Sequence, residues 1–417
     1  MIQFSAMKGF LNDSIGQMNR STNKLTLTNN QVVQGQVLKL FPDQKALIQI
    51  GQSKLVAQLE ASLSSLDRYW FRVKGSEQQG LQLKIIKKVN HLTNQSVAKD
   101  LLTMFQQKIS KENILLTGEL AKDHIPFTKE QLLDAIEMLK NTPKRDALAF
   151  VEAAKFAIKQ EYPLTENVIK SLMQTQSNVS LANQIGTLFH SLQGLDQPSN
   201  IVRQLQQSLL NLMQNSDDLL SVKQFDLGGE NRLTIKDITN EIQALRELLL
   251  VVSKEGEGLA KVKDQIDSLI QRLNGQTLLQ QDLGPTTQMI TQVPLFPLSN
   301  SDLTIQWHGK KQENGKIDPS FCRILFYLQL PTLKEMMVDV QIQNRVITIS
   351  ITNNFENIKP IISNYSEGLK ELLNEMDYKL SAIHVKPFDT SANQPLHKEQ
   401  VSITSGFGPY TGVDVKI

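Results

Sequence analysis

The sequence predicts a multidomain α+β protein with a small β-barrel-like N-terminal module, an all-α middle and a C-terminal β-β-β-α-β domain. Apolar residues alternate with polar ones between residues 31 and 90, and recur every three or four residues between 91 and 274. Both periods occur in order between 301 and 388. We therefore predict a polar tail at 1–30, a β module at 31–90, a helical region at 91–274, a linker at 275–300, the C-terminal domain at 301–388 and a tail at 389–417.

The β module contains about five short alternating runs separated by turn residues, which favours a small closed barrel. Barrels of the OB or SH3-like kind often bind nucleic acid. In this module Tyr69 and Phe71 are expected to face inward and Trp70 outward, and Lys84, Lys87 and Lys88 form only a modest basic cluster. Nucleic-acid binding through this module is therefore the alternative function.

The middle has the period of helices. Thr128 and Thr165 are predicted N-caps, and the spacing of Thr128 and Gln131 is that of a capping box. Further helices are predicted at 181–193, 201–214, 236–253 and 259–273. The segment 275–300 holds Pro285, Pro294 and Pro297 among many Gln and Thr residues, which predicts an extended connector.

The C-terminal domain is predicted from its two periods. Strands are expected at 321–330, 336–342 and 347–352, with a hairpin turn at Asn344, and a last strand at 378–385. Between the last two of these strands, an apolar stripe from Ile358 to Met376 predicts a helix that begins near Pro360 and packs on the sheet.

This segment also carries a family resemblance. The run Leu-Pro-Thr-Leu-Lys-Glu-Met-Met-Val-Asp-Val at 330–340, followed by the hairpin, the amphipathic helix and the last strand, resembles the C-terminal domain of flagellar hook-length control proteins (FliK-like). The chain departs from the family at two positions. The family usually has glycine where this chain has Lys334 and Asp377.

The resemblance implies a non-catalytic protein of the bacterial flagellum. Its partner would be the cytoplasmic domain of an export-gate membrane protein, and the contact would regulate which substrates the type III export machine accepts. A role as a length-measuring ruler and a role as a regulator both remain open, because the middle of the chain is predicted to be folded. The expected contact residues lie along the edge of the first hairpin: Leu330, Pro331, Leu333, Glu335, Val338 and Asp339.

Composition and motifs narrow the functional classes to which the chain could belong. A formal charge of +2 gives no strong overall field, and the single cysteine, Cys322, is expected to be a structural residue on a strand. The six histidines have no metal-ligand spacing, and no phosphate loop or nucleophile elbow occurs. The sequence therefore predicts no enzyme, cofactor, metal, small-molecule ligand or membrane insertion. The expected location is the cytoplasm, with export through a type III apparatus left open.

Overall fold

The computed structural model of the chain describes residues 27–42, 44–51, 53–59, 63–75, 82–89, 93–177, 179–219, 234–254, 259–282, 286–296, 301–312 and 317–388. The predicted tail at 389–417 and most of the tail at 1–30 lie outside these ranges. The last residues of the latter belong to the barrel instead. Leu27 is buried in the barrel core, and the Asn30 amide donates to the Val73 carbonyl at 2.9 Å.

The predicted N-terminal barrel is present. Its strands lie in the closed order β1-β2-β3-β5-β4, in which β3 and β5 pair in parallel and the other neighbours are antiparallel. Closure leaves no free sheet edge. The strands are β1 (Val32–Phe41), β2 (Lys45–Ile50), β3 (Ser53–Leu59), β4 (Arg68–Lys74) and β5 (Gln82–Lys88).

The described part of the middle contains nine α-helices. Thr128 and Thr165 cap two of them through their side chains, and Thr128 with Gln131 makes the predicted capping box. The first five helices share one apolar core and the last four share another. The helices are α1 (Asn94–Met104), α2 (Lys111–Lys122), α3 (Lys129–Asn141), α4 (Ala147–Lys159), α5 (Glu166–Gln174), α6 (Leu181–Gln193), α7 (Asn200–Leu219), α8 (Ile235–Val252) and α9 (Lys263–Leu278).

The rest of the chain forms one open sheet of seven strands in the order β6-β7-β8-β9-β10-β11-β12. All neighbours are antiparallel except β11 and β12, which are parallel and joined by helix α10. The elements are β6 (Gln281–Asp282), β7 (Thr286–Leu295), β8 (Ser301–Lys311), β9 (Ile317–Leu330), β10 (Lys334–Gln343), β11 (Val346–Thr352), α10 (Ile358–Glu375) and β12 (Lys379–Lys386). The predicted β-β-β-α-β order is present, within a larger sheet.

The predicted linker at 275–300 is wrong, because this segment contains the end of α9 and the strands β6 and β7. Pro294 suggested a connector because proline has no N–H to donate within a sheet. The short β6 pairs only with the start of β7, so the edge of β7 beside Pro294 has no neighbouring strand that would need this N–H. One buried glutamine of the segment has side-chain partners on α9. Gln292, fully buried, accepts hydrogen bonds from Arg272 and Gln276 of α9.

A salt bridge anchors this end of the sheet to the helices. Asp302 of β8 and Arg272 of α9 are both fully buried, and their charged groups are 3.1 Å apart. Asp302 also accepts the amides of Leu181 and Ala182 at 2.6 and 2.9 Å, which caps the start of α6. Burial raises the pKa of Asp302, and Arg272 opposes that rise. The β7–β8 end of the sheet is therefore fixed to the helical middle.

Candidate functional site

The turns of the C-terminal segment adopt the left-handed backbone that the resemblance requires of glycine. Lys334 has φ +57° and Asp377 has φ +67°. Asp377 follows the last turn of α10, and the Tyr378 amide donates back to the Leu373 carbonyl at 2.8 Å, which is a Schellman helix end. Both departures from the family pattern thus occupy positions where glycine is the least strained residue.

The second hairpin has the predicted turn. Asn344 and Arg345 both have positive φ, at +50° and +63°. The Arg345 guanidinium lies 5.4 Å from the centre of the Tyr378 ring and 3.4 Å from the Asp377 carboxylate. These contacts place the turn beside the end of α10.

The predicted contact residues do not form a strand edge. β10 pairs with β9 on one side and β11 on the other, so Glu335, Val338 and Asp339 lie in an interior strand. The expected hairpin edge is therefore wrong. The sequence could not reveal it, because alternation identifies a strand without identifying its neighbours.

Asp339 is also engaged internally. Its carboxylate accepts two hydrogen bonds of 2.8 Å from Arg323 of β9, and both side chains are 11% exposed. Val338 projects to the opposite face of the sheet and packs in the core below α10. Of the six predicted residues, Pro331 in the β9–β10 turn is exposed, and Leu330, Leu333 and Glu335 are half-buried.

The β9–β10 turn is tied to the segment that leads into α10. The Asn353 side-chain amide donates to the Leu333 and Glu335 carbonyls at 2.7 and 2.6 Å, and its oxygen accepts the Phe355 amide at 2.8 Å. The turn that holds the family-like motif and the start of α10 therefore lie together at one end of the sheet.

Helix α10 buries only part of its apolar stripe. Ile358 is buried, and Leu369 and Leu373 pack on the core formed with Ile347 and Ile349. The rest of the stripe points to solvent, which corrects the expectation that the whole stripe packs on the sheet. We call this exposed part the α10 strip: Ile361 (40% exposed), Tyr365 (74%), Met376 (57%) and the half-buried Leu372.

The α10 strip has an acidic flank. At 100° per residue, Glu371 and Glu375 follow one another along the side of the helix next to the strip. Glu367 lies farther round the helix and pairs with Lys370 at 3.2 Å. All three glutamates are exposed. Gly368 lies within the strip itself, and a Cβ built there would meet no atom within 4 Å. The surface is thus apolar, open and bordered by negative charge.

An apolar groove of about 360 Å³ lies on the sheet and extends to Tyr378, just after the end of α10. Cys322, half-buried, lines it, and burial with Asp318 nearby raises the pKa of its thiol. A thiol with a raised pKa is a poor nucleophile, which fits the structural role expected for this cysteine. The other lining residues are Met289, Trp307, Ile317, Pro319, Ile324, Ile342 and Tyr378.

The described residues contain no group of three His, Cys, Asp or Glu side chains positioned to hold a metal ion. No helix among them has the length and apolar character needed to cross a membrane.

Most of the residues considered for nucleic-acid binding are engaged elsewhere, whereas Lys84 is exposed. Trp70 points out of the barrel as predicted, but it is buried against Phe127 of the helical middle, with ring centres 6.4 Å apart. Val32 and Phe127 exchange backbone hydrogen bonds at the same junction. Lys87 pairs with Asp100 at 2.9 Å and Lys88 with Asp67 at 2.5 Å. The part of the barrel around Trp70 and Lys87 is therefore an internal contact between barrel and helices.

One curated relative extends over nearly the whole chain. The uncharacterised protein YlqG of Bacillus subtilis strain 168 is 23% identical over 533 aligned positions, which cover 89% of this chain and 92% of the relative. The alignment is longer than this chain of 417 residues, so the relative carries insertions within it. No protein-family model and no solved structure matches this chain.

Proposed function

We propose that the chain is a non-catalytic interaction protein related to flagellar hook-length control. Its C-terminal segment would bind the cytoplasmic domain of an export-gate membrane protein and regulate which substrates the type III machine exports. The observation that carries the proposal is the α10 strip, an apolar helix surface that its own sheet leaves uncovered. Exposed apolar surface of this kind is typical of protein interaction sites.

The backbone of the same segment supports the family part of the proposal. The β-β-β-α-β order is present, and the two residues that replace the family's glycines have positive φ. A chain that keeps a left-handed conformation without glycine bears a cost of about 1 kcal/mol at each position. Such a cost is tolerated where the fold requires that turn.

The folded middle favours a regulator or adaptor over a ruler. The described helices between 94 and 278 form two packed cores and are not an extended span. The acidic flank of α10 indicates the chemistry of the partner surface, because Glu371 and Glu375 would pair with lysine or arginine side chains around an apolar centre.

The test is isothermal titration of the full chain with the cytoplasmic domain of the export-gate component from the same bacterium. The Tyr365→Ser/Met376→Ser variant should bind at least about tenfold more weakly, because truncating central interface anchors costs about 2 kcal/mol or more.

The matched control is Leu148→Ser/Val251→Ser, which removes two exposed apolar side chains from α4 and α8. It should bind like the wild type. Absence of binding by the wild-type chain, or equal losses in the two variants, would contradict the proposal.

A further inference from the structure

The barrel has more basic than acidic residues. Residues 31–90 contain nine Lys and Arg but only four Asp and Glu, whereas the whole chain has a net charge of +2. The remainder is therefore net negative. A local excess of this size produces a positive field around the barrel that the overall charge conceals.

Part of this charge lies on the outer face of β1, β2 and β3. Directly paired residues of antiparallel strands project to the same side of a sheet. The outward residues therefore form three rows across the three strands, on the side opposite the buried Ala46 and Ile48. The rows are Gln36, Gln49 and Lys54; Lys39, Leu47 and Val56; and Phe41, Lys45 and Gln58.

A β-bulge in β1 determines the direction in which two of these side chains, Lys39 and Phe41, point. The register of β1 and β2 shifts between Val37 and Lys39. Val37 is buried inside the barrel, and strict alternation would turn Lys39 and Phe41 inward as well. The bulge instead brings them onto the outer face, and re-aiming a side chain is a recurrent use of bulges.

The face is open and contains no carboxylate among its nine residues. Lys39, Lys45 and Lys54 are exposed, one on each strand, and none of them makes an ion pair within the described part of the chain. The Lys39 ammonium lies 5.5 Å from the centre of the Phe41 ring, which is 37% exposed. Cations and an aromatic ring are thus adjacent on one surface.

We propose that this β1–β3 face binds single-stranded nucleic acid. The three lysines would contact phosphates, Phe41 would stack on a base, and the Gln58 amide would reach a base or sugar edge. The amides of Gln36 and Gln49 already donate to the Leu66 and Gly51 carbonyls. Three strands span only about 10 Å, a width suited to one nucleic-acid strand. The lack of carboxylates disfavours a second copy of this face as the occupant, because like charges would meet.

The test is fluorescence anisotropy of a labelled oligothymidylate of about 15 nucleotides with the full chain at several salt concentrations, starting near 50 mM. The Lys39→Gln/Lys45→Gln/Lys54→Gln variant should lose at least about tenfold in affinity. The slope of log affinity against log salt should fall by about two, since each lost phosphate contact removes about 0.7. Phe41→Ala should weaken binding without changing that slope.

The matched control, Lys111→Gln/Lys129→Gln/Lys140→Gln, removes the same charge from exposed helix positions and should bind like the wild type. Thermal melting checks the fold, and single variants at Lys45 and Lys54 replace the triple variant if it unfolds. Absence of oligonucleotide binding, equal losses in both triple variants, or stronger binding of an acidic peptide of equal charge would overturn the proposal.

Discussion

Within the seven-stranded sheet, β7 and β8 lie among helices, whereas β10, β11 and β12 carry only α10. The two faces of β7 belong to different apolar cores. Ile290 on one face lies in the first core and Val293 on the other lies in the second, so helices cover both faces. At the other end α10 leaves Tyr365 and Met376 in solvent. The sheet therefore has an anchored end that is packed among helices and an open end whose helix exposes apolar side chains, which is the end proposed above to bind the partner.

The largest expected difference between the two ends is in their salt bridges. Asp302→Asn leaves the buried Arg272 uncompensated and should lower the free energy of unfolding by about 3–5 kcal/mol. Asp339→Asn, at the open end, should cost about 2 kcal/mol, because water reaches its partner Arg323. Urea unfolding followed by Trp307 fluorescence in a Trp70→Phe background measures both. Equal losses would contradict the contrast between the ends.

Two helical glycines give the next test. A Cβ at Gly275 of α9 would overlap the Ser171 carbonyl and the Thr175 methyl group, so Gly275→Ala should destabilise by about 3 kcal/mol. A Cβ at Gly368 of α10 meets nothing, so Gly368→Ala should stabilise by about 0.5–1 kcal/mol through helix propensity. The sign of the change in melting temperature separates them, and the same sign for both would refute this description of the two helices.

The pH dependence of stability should involve His308 of β8. Burial and the nearby Arg323 lower the pKa of His308 below its ordinary value of 6.5. The unfolded chain then binds the proton more readily, so this residue should cost stability as the pH falls below 6.5. Between pH 7.5 and 5.5 the wild type should lose more unfolding free energy than His308→Gln. Parallel losses in the two proteins would exclude His308 as the cause.

The smallest expected stability change belongs to the α10 strip. Tyr365→Ser/Met376→Ser should alter the free energy of unfolding by less than about 1 kcal/mol, because both side chains are mostly exposed. Urea unfolding measures this alongside the binding assay. A large loss would mean that the strip packs within the chain, and its role as a docking surface would then be wrong.

Local features were predictable from the sequence because local physics fixes them. Alternation identified the barrel strands and β9 to β11, Thr128 was recognisable as a cap, and Asn344 marked a turn. Which strands and helices lie next to one another was not predictable. The prolines of 275–300 led to the prediction of a connector where β7 lies. This strand is buried through contacts with helices that are close in space and not in the local sequence.

The candidate site was predicted only in part. The first hairpin of the predicted segment has no free edge, and the exposed residues of α10 looked the same in sequence as its buried ones. Periodicity places residues on a helix face, and only the extent of the neighbouring sheet decides how much of that face is covered. The basic face of the barrel was missed because the β1 bulge reverses the expected direction of Lys39 and Phe41.

Hydrogen–deuterium exchange of the full chain, with and without the export-gate cytoplasmic domain, tests the central claim most directly. Binding should slow exchange in the amides of α10 and the adjoining β9–β10 turn, and leave β7 and β8 unchanged. Protection confined to the barrel or the helical middle, with α10 exchanging as in the free chain, would contradict the assignment of the open end as the docking surface.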